Sequence, residues 1–232
     1  MRLTFLLTTL LLPLLTIVAA STGCSDSQEE AILIEDPEAV ALQIGDVAMD
    51  FAEVEGSAKH ITNSESCAST QEDERDECLS QLEEWGRLDG YEVEYAANDP
   101  EAFLSGTYRV FGAVSIYRDQ EGAAEAFRVG EERLQEELRQ LEDAAAVEIP
   151  TVGDESVAFV TIASQRIGKR DVSVSLHVID FRQENVLARI GATAPTALAT
   201  VDDALEWAQK LDQRILQATG RISPTASPSA TP

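Results

Sequence analysis

The sequence predicts an α+β domain in which an antiparallel sheet of about five strands packs against two long helices. Five segments have the alternation or the short continuous hydrophobicity of strands, and two carry a long apolar stripe at helical spacing. The strands follow one another through hairpins or one long helix, a pattern that favours an antiparallel sheet.

Composition limits the classes of partner. The 232 residues include 42 acidic and 17 basic residues, a formal charge of −25, and 44% are hydrophobic. That apolar fraction suits one globular domain. A charge this negative repels nucleic acid, so no nucleic-acid partner is expected.

Residues 1–23 have the pattern of a signal peptide. Arg2 is followed by an apolar run and then by small residues. Residues 21–24, Ser-Thr-Gly-Cys, resemble a bacterial lipobox, which implies that Cys24 is lipidated and anchors the protein to the cell membrane through two acyl chains. Cleavage before Ser21 with plain secretion, or an uncleaved anchor, are the alternatives.

Three further boundaries follow from composition. Residues 24–36 are predicted as the lipidated cysteine and an acidic tether, and residues 37–220 as a single α+β domain. Residues 221–232 are rich in Ser, Thr and Pro, cannot bury apolar surface, and are predicted to be a disordered tail.

The domain is predicted to open with a short helix. Asp36 has the position of an N-cap, Pro37 that of a first helical residue, and Gly45 ends the helix. Residues 47–61 have no firm period and are predicted as loop or weak strand.

A helix within residues 70–85, ended by Gly86, carries the second cysteine of a predicted disulfide. Three cysteines in an exported chain leave one over, and lipidation of Cys24 leaves Cys67 and Cys78 to pair in an oxidising compartment. The polar residues between them offer little core to hold this segment otherwise. Two free thiols are the alternative.

Two strands and the longest helix follow. Residues 91–95 alternate, whereas residues 108–117 are apolar on both faces and are predicted as a central strand covered on both sides. Residues 119–146 are predicted as an amphipathic helix lying on the sheet, because an apolar stripe runs along one face. A coiled coil and a membrane-surface helix are the alternatives, and the glutamates on the polar faces argue against the second. Its stripe is Ala123, Phe127, Gly130, Leu134, Leu138, Leu141 and Ala145.

The last part is predicted as a strand, a hairpin and a closing helix. The strand covers residues 156–162, and the hairpin has arms at 172–178 and 186–190 with a turn at 182–185. Thr200 is the predicted side-chain cap of the helix. The helix has a Glu206–Lys210 pair and an apolar stripe of Ala204, Ala208, Leu211 and Ile215.

Motifs for chemistry are absent from the sequence. It has no nucleophile elbow, zinc-protease helix, phosphate loop or Cys-x-x-Cys. His177 shares a strand face with Ser173 and Ser175 but has no third orienting group. We predict no catalytic residue, no metal ligand and no cofactor.

Tyrosines give the one indication of a ligand surface. If the strands at 91–95 and 108–117 pair, Tyr91, Tyr95, Tyr108 and Tyr117 could share a sheet face and bind a ligand, as rigid amphipathic side chains do. A half-buried sheet under a helix is the alternative.

The order of elements carries a resemblance. Strand, long helix, Gly153-Asp154-Glu155-Ser156, a hairpin with Phe181-Arg182 and Asn185-Val186, and a closing helix follow in turn over residues 88–217. This order resembles exported domains of high-GC bacteria, namely PknH-type extracellular sensor domains and lipoproteins with a PsbP/Mog1-like fold. The resemblance implies a ligand-binding or accessory module without catalysis.

These observations predict a membrane-anchored extracytoplasmic lipoprotein acting as a non-catalytic binding or accessory module. We expect a monomer whose partner is a small molecule or an envelope protein. An exported hydrolase with an unrecognised site and a structural cell-envelope protein are the alternatives.

Overall fold

One antiparallel sheet runs through the domain in the computed structural model, which describes residues 33–47, 50–68, 70–99, 106–141, 143–167 and 170–222. Its strands are β1 (Phe51–Glu53), β2 (Lys59–His60), β3 (Arg87–Ala97), β4 (Arg109–Tyr117), β5 (Ala144–Val147), β6 (Glu155–Ile167), β7 (Arg170–Gln183) and β8 (Val186–Pro195). The helices are α1 (Pro37–Val40), α2 (Asn63–Ser66), α3 (Arg75–Glu84), α4 (Gln120–Gln140) and α5 (Val201–Ala218).

The strand order is β1-β3-β4-β8-β7-β6-β5, with β2 also paired to β3. The described part of the sheet therefore has eight strands rather than about five. The five predicted strands are β3, β4, β6, β7 and β8. The added strands β1, β2 and β5 have two to four residues each, too few to show an alternation in the sequence.

Helices lie on both faces of the sheet. α1 and α5 cover one face, where α5 buries its predicted stripe and Trp207 mainly against β7 and β8, and α1 packs against β3 and β4. α4 packs on the other face, against Tyr117 and Leu187. β4 lies between β3 and β8 and is covered on both sides, as predicted.

The end of α4 differs from the prediction. The helix stops at Gln140 because residues 144–147 pair with β6 as β5 instead of continuing the helix to residue 146. Alanine-rich residues favour a helix locally. Backbone hydrogen bonds to a neighbouring strand outweigh a preference of that size.

Part of the predicted tether belongs to the domain. Ile34 is 6% exposed, and its backbone N–H and C=O both bond to the side chain of Asn185. Residues 33–36 therefore lie with the folded part rather than in the tether. The predicted signal peptide, Cys24 and residues 223–232 of the predicted tail lie outside the described residues.

The closing helix shows one confirmed and one wrong detail. Lys210 and Glu206 form the predicted pair, with 2.7 Å between Nζ and Oε1. Thr200 is the N-cap residue, but its side chain makes no capping hydrogen bond. In the described ranges, no helix has both the length and the hydrophobicity of a membrane span.

Candidate functional site

A cleft of about 260 Å³ lies between α4 and the sheet. Its apolar walls comprise Ala126, Phe127 and Gly130 of α4 and Ala113, Val157 and Leu187 of the sheet. Glu131, Asp180 and Arg189 supply its charged groups. We refer to this space as the α4 cleft.

The cleft exists because α4 packs closely only along its first turns. Ala123, Ala126 and Phe127 are buried, but the later stripe residues are not, and Leu141 just beyond the helix is 54% exposed. A Cβ at Gly130 would have no atom of the described residues within 4 Å. The small Ala113 across from the helix leaves the space unfilled.

We expect Gly130→Ala to raise the free energy of unfolding by about 0.5–1 kcal/mol, because glycine in a helix interior is entropically costly. Urea denaturation measures this change. Gly122→Ala is the control, because a Cβ at Gly122 would collide with the carbonyl oxygen of Trp85 and must destabilise the helix start. Equal effects at the two positions would contradict the open space at Gly130.

Charge in the α4 cleft is unevenly balanced. Arg189 donates through Nε and Nη2 to both oxygens of Asp180, at 2.6 and 2.7 Å. Those bonds raise the pKa of Arg189 and neutralise its charge locally. Glu131 accepts one hydrogen bond, from Gln135 at 2.9 Å. Within the described part of the chain, it has no ion-pair partner.

The arrangement suits binding of a small molecule with an apolar body and a polar end. Pockets that bind small molecules are mostly apolar, with a few placed polar groups. In the described residues, no group of three His, Cys, Asp or Glu side chains is placed to hold a metal ion.

Sequence reasoning did not single out Glu131, Asp180 or Arg189. Gly130 was counted within the stripe of α4, and its signal was a glycine interrupting a row of large apolar residues. The cleft itself depends on the separation between a helix and a sheet, which has no local pattern in the sequence.

The predicted tyrosines do not line one surface. Strand pairing places Tyr91 and Tyr95 opposite Val114 and Val110, on the face towards α5. Tyr117 lies on the other face, beneath α4. Tyr108 is half-buried just before β4. Their role in binding a ligand stays a prediction.

Two of these tyrosines are core residues. Tyr95 donates its hydroxyl to the carbonyl of Leu42 at 3.1 Å, and Tyr117 is buried under α4. Burial raises the pKa of each hydroxyl to about 12. These side chains therefore contribute to packing between the sheet and its helices.

The predicted disulfide is present. Cys67 and Cys78 are bonded, with 6.0 Å between their Cα atoms. Cys67 follows α2, and Cys78 lies within α3. Because α3 buries none of its own residues, the disulfide is a main attachment of α3 to the domain.

The two histidines differ in burial and in hydrogen bonding. The hydroxyl of Ser175 donates to Thr196 Oγ1 at 3.1 Å and not to His177. His177 Nδ1 is buried without a hydrogen-bond partner among the described residues, and burial lowers its pKa. His60 is exposed, and its hydrogen bond to Asp89 at 2.7 Å raises its pKa.

The raised pKa of Asp212 in α5 predicts how stability depends on pH. Burial, followed by the charge of Asp154, raises its pKa, and Oδ1 has no partner in the described structure. Because the pKa of Asp212 is higher in the folded than in the unfolded state, its ionisation at neutral pH lowers the free energy of unfolding. This loss of stability is absent at pH values below the pKa of the unfolded state, where the carboxyl group is protonated in both states. Asp212→Asn should therefore raise Tm near neutral pH.

Thermal unfolding at several pH values tests this expectation. The advantage of Asp212→Asn should shrink as the pH falls through the raised pKa of Asp212. Asp202→Asn is the control, because Asp202 is exposed in the first turn of α5, where a negative charge is favourable. The interpretation is wrong if Asp212→Asn lowers Tm near neutral pH.

Comparison with known proteins gives a structural likeness but no family. No protein-family model matches the sequence, and no curated protein matches it. The extracellular domain of PknH from Mycobacterium tuberculosis is similar, with a TM-score of 0.41 and 10% sequence identity over 82% of this chain and 93% of that chain. A likeness at this level transfers neither ligand nor function.

Proposed function

We propose that this chain is an extracytoplasmic lipoprotein, anchored through Cys24, whose domain acts as a non-catalytic module that binds a small molecule in the α4 cleft. The leader pattern of residues 1–23 supports export. The disulfide between Cys67 and Cys78 fits an oxidising compartment.

The α4 cleft is the observation that carries the binding role. The cleft measures about 260 Å³ and has mostly apolar walls with a few charged groups, as sites that bind small molecules do. Ligand sites typically measure ~300–1,000 Å³. A ligand here is therefore smaller than a drug-sized molecule.

Mass spectrometry of the mature N-terminus tests the location. We expect an acylated Cys24 and recovery of the protein in the membrane fraction. A Cys24→Ala variant should leave that fraction. An unmodified Ser21 at the N-terminus would contradict the anchor but not export, and an intact leader on a cytosolic protein would contradict both.

Calorimetric titration with octanol and with indole tests the cleft. We expect binding of at least one probe, and at least a tenfold loss of affinity in Gly130→Leu, whose side chain fills the space. Gly130→Ala is the matched control and should retain affinity. Ala113→Leu narrows the cleft from the sheet side if Gly130→Leu does not fold. Binding unaffected by either leucine would contradict the assignment.

A further inference from the structure

We propose that the α4 cleft selects an amphipathic cation, a short apolar molecule whose amine or guanidinium group binds Glu131. This inference rests on the proposed function and names the chemical class of its ligand. It is carried by the balance of charge inside the cleft and by the nature of its walls.

Arg189, the basic residue that lines the cleft, is already paired with a carboxylate. Arg189 makes two hydrogen bonds to Asp180 in a bidentate pair. An anionic ligand would have to compete with that pair for the guanidinium. It would also approach the carboxylates of Asp180 and Glu131, which repel it more strongly in a partly dry cleft than in water.

Of the two carboxylates that line the cleft, Asp180 is paired with Arg189 and Glu131 is not paired with a cation of the described residues. Glu131 lines the cleft, is partly buried, and has a hydrogen bond from Gln135 but no ion-pair partner among the described residues. Glu137 of the same helix adds negative potential near Arg189. A cationic group beside Glu131 would supply the missing opposite charge.

The apolar walls specify the rest of the ligand. Phe127, Val157 and Leu187 offer apolar surface, and burying methylene groups against that surface favours binding. A volume of about 260 Å³ suits a short alkyl chain or a single ring. The charge of −25 on the whole chain attracts any cation, so a test must separate this general attraction from Glu131 itself.

Titration calorimetry with octylamine, octanol and octanoate makes this separation, because the three probes share one alkyl chain. We expect octylamine to bind the purified protein about tenfold more tightly than octanol, and octanoate to bind most weakly. Glu131→Gln should lower octylamine affinity about tenfold and leave octanol affinity unchanged. Glu136→Gln, an equal charge change at an exposed position on the same helix, should leave both unchanged.

The outcomes distinguish this inference from the proposed function. Octanoate binding as tightly as octylamine, with both lost in Gly130→Leu, would overturn the charge preference and leave the cleft as a binding site. Equal losses in Glu131→Gln and Glu136→Gln would also overturn it, since the effect would then be the general field. Failure of all three probes and of indole to bind would overturn both the charge preference and the binding role of the α4 cleft, whereas binding of indole alone would overturn only the charge preference.

Discussion

Replacing Asn185 with alanine is expected to lower the free energy of unfolding by about 3–5 kcal/mol. Asn185 is fully buried in the turn between β7 and β8. Its Oδ1 accepts from the backbone N–H of Ile34, and its Nδ2 donates to the carbonyls of Ile34 and Tyr117. Alanine would leave three buried backbone groups without these partners, at a cost of about 1–3 kcal/mol each before relaxation.

Urea denaturation measures the loss, and hydrogen exchange locates it. The backbone amide of Ile34 should exchange faster in Asn185→Ala than in the wild type, because its acceptor is removed. Asn98→Ala is the matched control at an exposed position and should change stability by less than about 0.5 kcal/mol. A similarly small effect at Asn185 would show that the N-terminal segment is not held by this side chain.

Loss of the disulfide is the second large effect. Replacing Cys67 and Cys78 with alanine is expected to cost about 3 kcal/mol, because their sequence separation of 11 closes a loop whose entropy the bond removes from the unfolded chain. The cost should be concentrated in α3, which buries no residue of its own. Hydrogen exchange should therefore show the largest loss of protection in α3, while amides of β4 and β8 lose at most the protection that corresponds to the drop in global stability.

A reducing agent provides the control for this prediction. Dithiothreitol should shift the urea midpoint of the wild type close to that of the double-alanine variant and should not affect the variant itself. If the reductant destabilises the variant as much as the wild type, the bond between Cys67 and Cys78 is not the cause. Unchanged protection of α3 in the variant would show that other contacts hold the helix.

Several elements could be predicted because the side chains that make the pattern are also those that become buried. In α5, the stripe from Ala204 to Ile215 is the surface that packs on the sheet. In β4, apolar residues on both faces indicated a central strand, and helices cover both sides of it. Counting cysteines identified the pair that forms the disulfide.

The missed features depend on groups that lie far apart in the sequence. β5 forms from a segment predicted as helix because β6 offers its backbone, with Ala144 opposite Thr161. Residues 33–36 were assigned to the tether because nothing nearby shows that Asn185 would bond to Ile34. The sequence predicts the tyrosines on one face, but Tyr95 and Tyr117 lie on different strands. Spacing along the chain therefore does not fix their relative faces. The register between β3 and β4 does, and it places them on opposite faces.

Periodicity along the chain was therefore sufficient for the mixed class of fold, the main strands and both long helices, and the cysteine count was sufficient for the disulfide. The edge strands, the end of α4, the fixed N-terminal segment and the α4 cleft required the assembled domain. The spacing of apolar residues along the chain indicates which side chains become buried. The distance between α4 and the sheet arises only when separate elements meet. The same is true of the contact between Arg189 and Asp180, which leaves Glu131 without an opposite charge among the described residues.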